Sequence, residues 1–150
     1  MFSLIITIVS IALVVALVAA TMYHGGDTLT TGRTTADAAA FVSGAQQIGG
    51  AQVMHLSLEG VQATDIAGLV TKKYLASAPV VKADATGGWL LDTANKLVTN
   101  IVSSDAVCAQ INKNAGVDQT KIDAKTVVAA DFANKPYGCV SVGHAFQFRY

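Results

Sequence analysis

Residues 1–27 read MFSLIITIVSIALVVALVAATMYHGGD, and no Asp, Glu, Lys or Arg occurs before Asp27. From Leu4 to Tyr23 only Thr7, Ser10 and Thr21 interrupt the apolar run. As a helix this stretch extends about 30 Å, the thickness of a bilayer's hydrocarbon core. Its apolar character runs all round the helix instead of along one stripe, so every side must be buried. The rest of the chain is too small to sheath such a helix, which leaves lipid or other subunits to do it. The three polar side chains are small hydroxyls that can bond back to carbonyls of their own helix. None is an ionisable group of the kind that marks a transport path, so the segment carries no chemistry. A cleaved signal peptide is the rival reading, since Val18-Ala19-Ala20 loosely fits the small-residue cleavage rule. Against it, a basic n-region is missing and the run is longer than a usual h-region.

The chain has 150 residues, enough for one domain with a sizeable core. Hydrophobic residues make up 52% and charged residues 13%, the latter against roughly 25% in average soluble domains. The ten basic and ten acidic residues all lie at or beyond Asp27 and balance to zero. That excludes the clustered basic footprint of a nucleic-acid binder. The one adjacent basic pair, Lys72-Lys73, reads as a solvated helix face. Two cysteines, Cys108 and Cys139, are too few for a structural zinc site, and His144 has no partner at ligand spacing. With an export-type N-terminus they point to one disulfide in an oxidising compartment, free buried thiols being the alternative. Closing a loop of about thirty residues would contribute about 3–4 kcal/mol.

Downstream of the apolar run, the glycines of His24-Gly25-Gly26-Asp27 cost a helix roughly 2 kcal/mol, so a helix break is expected at Gly25 and Gly26. Asp27 or Thr28 would cap the new start. This divides the chain into an apolar segment, residues 1–26, and a head, residues 27–150, that includes an amphipathic continuation of the helix. From Thr34 to Leu58 the apolar positions Phe41, Gly44, Ile48, Ala51, His55 and Leu58 recur at steps of three and four. The stripe is rich in small residues, which allows a close neighbour, and His55 within it reads as a satisfied, half-buried histidine.

A short helix follows from Asp65 to Leu75, ended by Pro79. Trp89–Asp92 and Leu97–Val102 flank the polar loop at 93–96 and predict a hairpin, entered through Gly87-Gly88. Ser103 or Ser104 caps a helix that carries Cys108 and stops at Gly116. Thr126–Val128 forms a small strand in a loose stretch. At the end of the chain Phe146, Phe148 and Tyr150 alternate with polar neighbours as a strand with an aromatic face, Gly143 marking a bulge before it. The fold class is α+β: a long N-terminal helix, its second half packed on a small antiparallel sheet with short helices and one disulfide.

No catalytic constellation is present. The chain lacks GxSxG, a P-loop, a GxGxxG after a strand, and HExxH. Its three histidines, His24, His55 and His144, fall in three separate elements. Nothing calls for an enzyme, a cofactor, a metal or a small-molecule substrate.

The order of these elements resembles a type IV pilin, closest to the type IVb branch of thin and conjugative pili. The stretches IAGLVTKKYLASAP at 66–79, Gly88-Trp89, and DAVCAQINKNAG at 105–116 are similar to that family's region between long helix and sheet. The resemblance implies a helical homopolymer whose apolar helices bundle in a central core with the heads outward. Core and membrane contact would then fall to Phe2, Leu4, Ile5, Ile6, Ile8, Val9, Ile11, Leu13, Val14, Val15, Leu17 and Val18. Cys108 and Cys139 match the pair bounding the family's disulfide region. The implied partners are the inner membrane before assembly, the pilus assembly machinery, and DNA, cells or surfaces met by the finished extracellular fibre. Two departures stand out. Pilins nearly always carry Glu at the fifth mature residue, where this chain has Ile5, or Ile6 if Phe2 comes first. The basic leader ending in Gly is not seen either, which implies a processed chain or assembly without the usual peptidase. The expected function is that of a major pilin. A minor pilin or secretion-system pseudopilin, and a membrane-anchored periplasmic binding or sensor domain, are the alternatives.

Overall fold

A computed structural model describes residues 2–85 and 88–150, without the side chains of residues 2 and 24–28. The chain divides into two compact units, Met1–Arg33 and Thr34–Tyr150, where the sequence put the division after residue 26. Helix α1 runs from Phe2 to Glu59. Helix α2 (Ile66–Thr71), strands β1 (Leu90–Asp92) and β2 (Leu97–Ile101), and helices α3 (Asp105–Asn114) and α4 (Gln119–Asp123) follow in order. A 3-10 turn, Ala129–Phe132, then leads to strands β3 (Tyr137–Cys139) and β4 (Ala145–Arg149). The expected α+β architecture, with its disulfide between Cys108 and Cys139, is present.

The expected helix break is corrected. Gly25 and Gly26 do not break the helix, because α1 is continuous across them. The pair costs roughly 2 kcal/mol. A true break would free four backbone donors and four acceptors and require a second nucleation, which costs more. The caps expected at Asp27 or Thr28 rest on side chains outside the described residues.

In the second unit α1 presents its stripe to a four-stranded antiparallel sheet of order β1-β2-β4-β3. Ala38, Phe41, Ala45, Ile48 and Ala51 are buried there with Val98 of β2 and Phe146 of β4. Phe41, Trp89 and Phe146 form a ring cluster with centroids 5.6–6.1 Å apart, and the Trp89 indole N–H donates to the Pro79 carbonyl at 2.7 Å. The small residues of the stripe are notches. A Cβ on Gly44 would lie 2.9 Å from the Trp89 ring, and one on Gly49 would lie 3.1 Å from Tyr150 Cβ. Only glycine lets these groups come so near the helix axis.

The stripe ends one turn earlier than expected. His55 is buried, its Nδ1 2.8 Å from the Val61 carbonyl and its ring edge-on to Tyr74, but Leu58 is exposed. Helix α2 is also shorter than predicted. Asp65 caps it by accepting from the Gly68 N–H, and the chain leaves at Lys73 in a left-handed conformation. That turn buries Leu75 and seats Tyr74 on His55.

The hairpin forms as predicted, Asp92 pairing with Leu97 across the loop. β4 pairs with both β2 and β3, its Phe146 opposite Asn100 and Cys139. Gly143 lies in the turn between β3 and β4 with positive φ, as does His144, so it makes a turn instead of a bulge. Thr126–Val128 is not a strand. Val127 exchanges bonds with Ser141 alone: its N–H donates to Ser141 Oγ, and its carbonyl accepts from the Ser141 N–H. Val117, Ile122, Val127 and Phe132 close a second small core, with the Phe132 ring lying flat on Gly138 of β3.

Candidate functional site

The first unit has one conspicuous surface, the helix from Ser3 to Tyr23. Those 21 residues are long and apolar enough to cross a membrane, and none is buried. At about 1.5 Å per residue they span about 31 Å. The predicted contact residues Leu4, Ile5, Ile6, Ile8, Val9, Ile11, Leu13, Val14, Val15, Leu17 and Val18 all stand exposed on it, from 46% at Val18 to 67% at Leu17. Phe2, predicted with them, has its side chain outside the described residues.

The hydroxyls of Thr7, Ser10 and Thr21 ask for no outside partner. Thr7 Oγ1 donates to the Leu4 carbonyl at 2.8 Å, Ser10 Oγ to the Ile6 carbonyl at 2.8 Å, and Thr21 Oγ1 to the Val18 carbonyl at 2.9 Å. The polarity of these three side chains is therefore spent inside the helix, and between Leu4 and Met22 the outer surface is essentially hydrocarbon. Burying each such Val, Leu or Ile side chain is worth about 1.5–3 kcal/mol. A helix that exposes so many in series is stable only where something apolar encloses it.

In the second unit the predicted Cys108–Cys139 disulfide joins α3 to β3, with Cα atoms 5.4 Å apart. A hollow beside it is lined by Asp105, Cys108, Asn112, Lys125, Ser141 and His144. The Asp105 carboxylate bridges Lys125 Nζ and His144 Nε2, and the Lys125 hydrogen bond holds its pKa below the usual carboxylate range. Sequence reasoning missed this link, and also Asn112, whose carboxamide bonds both backbone groups of Cys139. It missed a small apolar patch as well, where Val53, Met54, Leu58 and Val61 are exposed at the end of α1 and just beyond it. Among the described residues no group of three or more His, Cys, Asp or Glu side chains is placed to hold a metal ion.

Compared with known proteins, the chain matches no family model, no curated protein and no solved structure.

Proposed function

We propose that the chain is the main structural subunit of an extracellular type IV-like filament, a major pilin, that polymerises through its apolar N-terminal helix. The observation that carries this reading is the Ser3–Tyr23 surface: uncharged, exposed on every side, and with the hydroxyls of Thr7, Ser10 and Thr21 satisfied within the helix. Such a surface suits two successive environments, the lipid of the inner membrane before assembly and the helices of other copies afterwards. No change in the segment's own hydrogen bonds is needed between them. Without a carboxylate at residue 5, no buried charge has to find a neighbour's amine, and registration falls to the shapes of side chains such as Ile5 and Ile6. The head, stapled by one disulfide, is the part that faces solvent. Adhesion, DNA transfer or motility then belongs to the fibre, served by an assembly machinery acting on the membrane-held subunit.

Electron microscopy of material sheared from cells that express the chain tests this. The expected result is thin fibres whose mass spectrum contains this chain. Finding it only in the membrane fraction, as monomers, would favour a membrane-anchored domain and sink the filament reading.

A further inference from the structure

Asn112 lies on α3 four residues after Cys108, so the two side chains share one helix face, and both are buried. The Asn112 carboxamide makes two bonds to a single residue of β3. Its Nδ2 donates to the Cys139 carbonyl at 2.7 Å, and the Cys139 N–H donates to its Oδ1 at 2.8 Å. β3 is an edge strand, and here the amide takes the place of the missing neighbouring strand. The two bonds fix the Cys139 backbone against α3, with its Cα 5.4 Å from that of Cys108. A disulfide spans roughly 4.4–6.8 Å between Cα atoms. Neither bond involves sulfur, so neither needs the S–S bond to exist. Separating α3 from β3 would leave a buried carboxamide and a strand edge to find other partners, which favours the docked arrangement whatever the state of the thiols.

We infer that Asn112 is the positioning residue for the disulfide: it docks β3 on α3 in the reduced chain and presents Cys139 to Cys108 before oxidation. The oxidant is a small-molecule or protein disulfide. A cysteine thiolate attacks it, one oxidant thiolate leaves, and a mixed disulfide forms. The second cysteine's thiolate then displaces the remaining oxidant thiolate and closes Cys108–Cys139. Two thiol protons and two electrons leave the chain, and the oxidant becomes two thiols. The Asn112 carboxamide bonds to backbone atoms and exchanges nothing. It raises the effective concentration of one cysteine at the other, and it does so whether or not the chain forms fibres.

The test uses the full chain in detergent micelles, equilibrated in glutathione buffers, with the effective concentration of the cysteine pair as readout. Asn112→Ala is expected to lower it about tenfold or more, since two buried bonds are lost. Asn112→Asp keeps the acceptor for the Cys139 N–H but not the donor for its carbonyl, and should fall in between. Val107→Ala, a core change on the same helix, should lower the thermal midpoint yet leave the thiol equilibrium in place. An Asn112→Ala value equal to the native one, or no lower than that of Val107→Ala, would overturn the inference. A second measurement keeps Asn112 and replaces both cysteines, Cys108→Ser with Cys139→Ser, and follows hydrogen exchange at the residue-139 amide. Slow exchange is expected. Fast exchange in an otherwise folded head, or a head that does not fold without the disulfide, would contradict it.

Discussion

Ser3–Tyr23 and residues 34–59 belong to the same helix, and their side chains have opposite fates. The first stretch is the more apolar and none of it is buried. The second buries Ala38, Phe41, Ala45, Ile48 and Ala51, and takes Gln52 and His55 inside with them. What separates them is pattern. In residues 34–59 the apolar and small residues return to one face, and Gly44 and Gly49 cut notches there for Trp89 and Tyr150. In the first stretch large aliphatic side chains cover every direction, so no single face selects a partner within the chain. Hydrophobicity alone did not decide burial; a periodic face with a fitted partner did.

The largest expected effect sets the two stretches directly against each other. Ile48→Arg places an unpaired charge in the head's core and should cost at least about 4 kcal/mol, unfolding the head by circular dichroism. Val14→Arg should leave the head's thermal midpoint unchanged. It should instead drive the chain out of the membrane fraction, since a charge at mid-span costs about 2.5–3.5 kcal/mol. Equal damage to the head from both changes would erase the distinction.

Next in size is the disulfide. Replacing both cysteines by Ser should lower head stability by about 3–4 kcal/mol in chemical denaturation and leave membrane partition as it was. A change in partition would mean the two regions are coupled.

Smaller effects sharpen the contrast within the second stretch. Gly49→Ala should destabilise the head by about 1–3 kcal/mol, because the added methyl meets Tyr150 and Phe148. At the neighbouring Gly50 an added Cβ meets nothing, so Gly50→Ala should stabilise by about 0.5–1 kcal/mol. Thermal midpoints moving in opposite directions would bear out the notch.

The smallest effect is the pH response of the head. Hydrogen bonds from Lys125 to Asp105, from Thr120 to Asp118 and from Lys121 to Asp131 hold these carboxyls below their ordinary value. Groups with lowered folded-state pKa contribute stability that is fully present above the ordinary value, about 3.9, and lost as pH falls through the lowered ones. The midpoint should therefore be insensitive to these groups between about pH 7 and 5 and fall toward pH 2. A rise on acidification would contradict the pairing.

Much of this was legible in the residues. The long helix, the hairpin about residues 93–96, the helix carrying Cys108 and the aromatic face of β4 all follow from local periodicity and turn residues, which act within a few positions. Three features depended on longer-range terms. Continuity through Gly25-Gly26 is a balance between local propensity and the cost of ending a helix. The early stop of α2 at Thr71, with the left-handed turn at Lys73, serves the burial of Leu75. Helix α4, the 3-10 turn and the Val127–Ser141 pairing, in a stretch read as loose with a strand at 126–128, are held by the small core around Phe132. The surface at Ser3–Tyr23 was read almost completely, since an all-round apolar helix has no internal context to consult. The Asn112 clamp was not, although an Asn one turn after a half-cystine is a signal that could be sought.

The central claim is that the first stretch of α1 depends on surroundings outside the chain while the second belongs to a self-sufficient head. Producing residues 34–150 alone, with the disulfide formed, and recording mass and thermal unfolding in detergent-free buffer tests it most directly. A monomer that unfolds in one cooperative transition is the predicted result. A chain that aggregates, or that shows no cooperative transition, would contradict it.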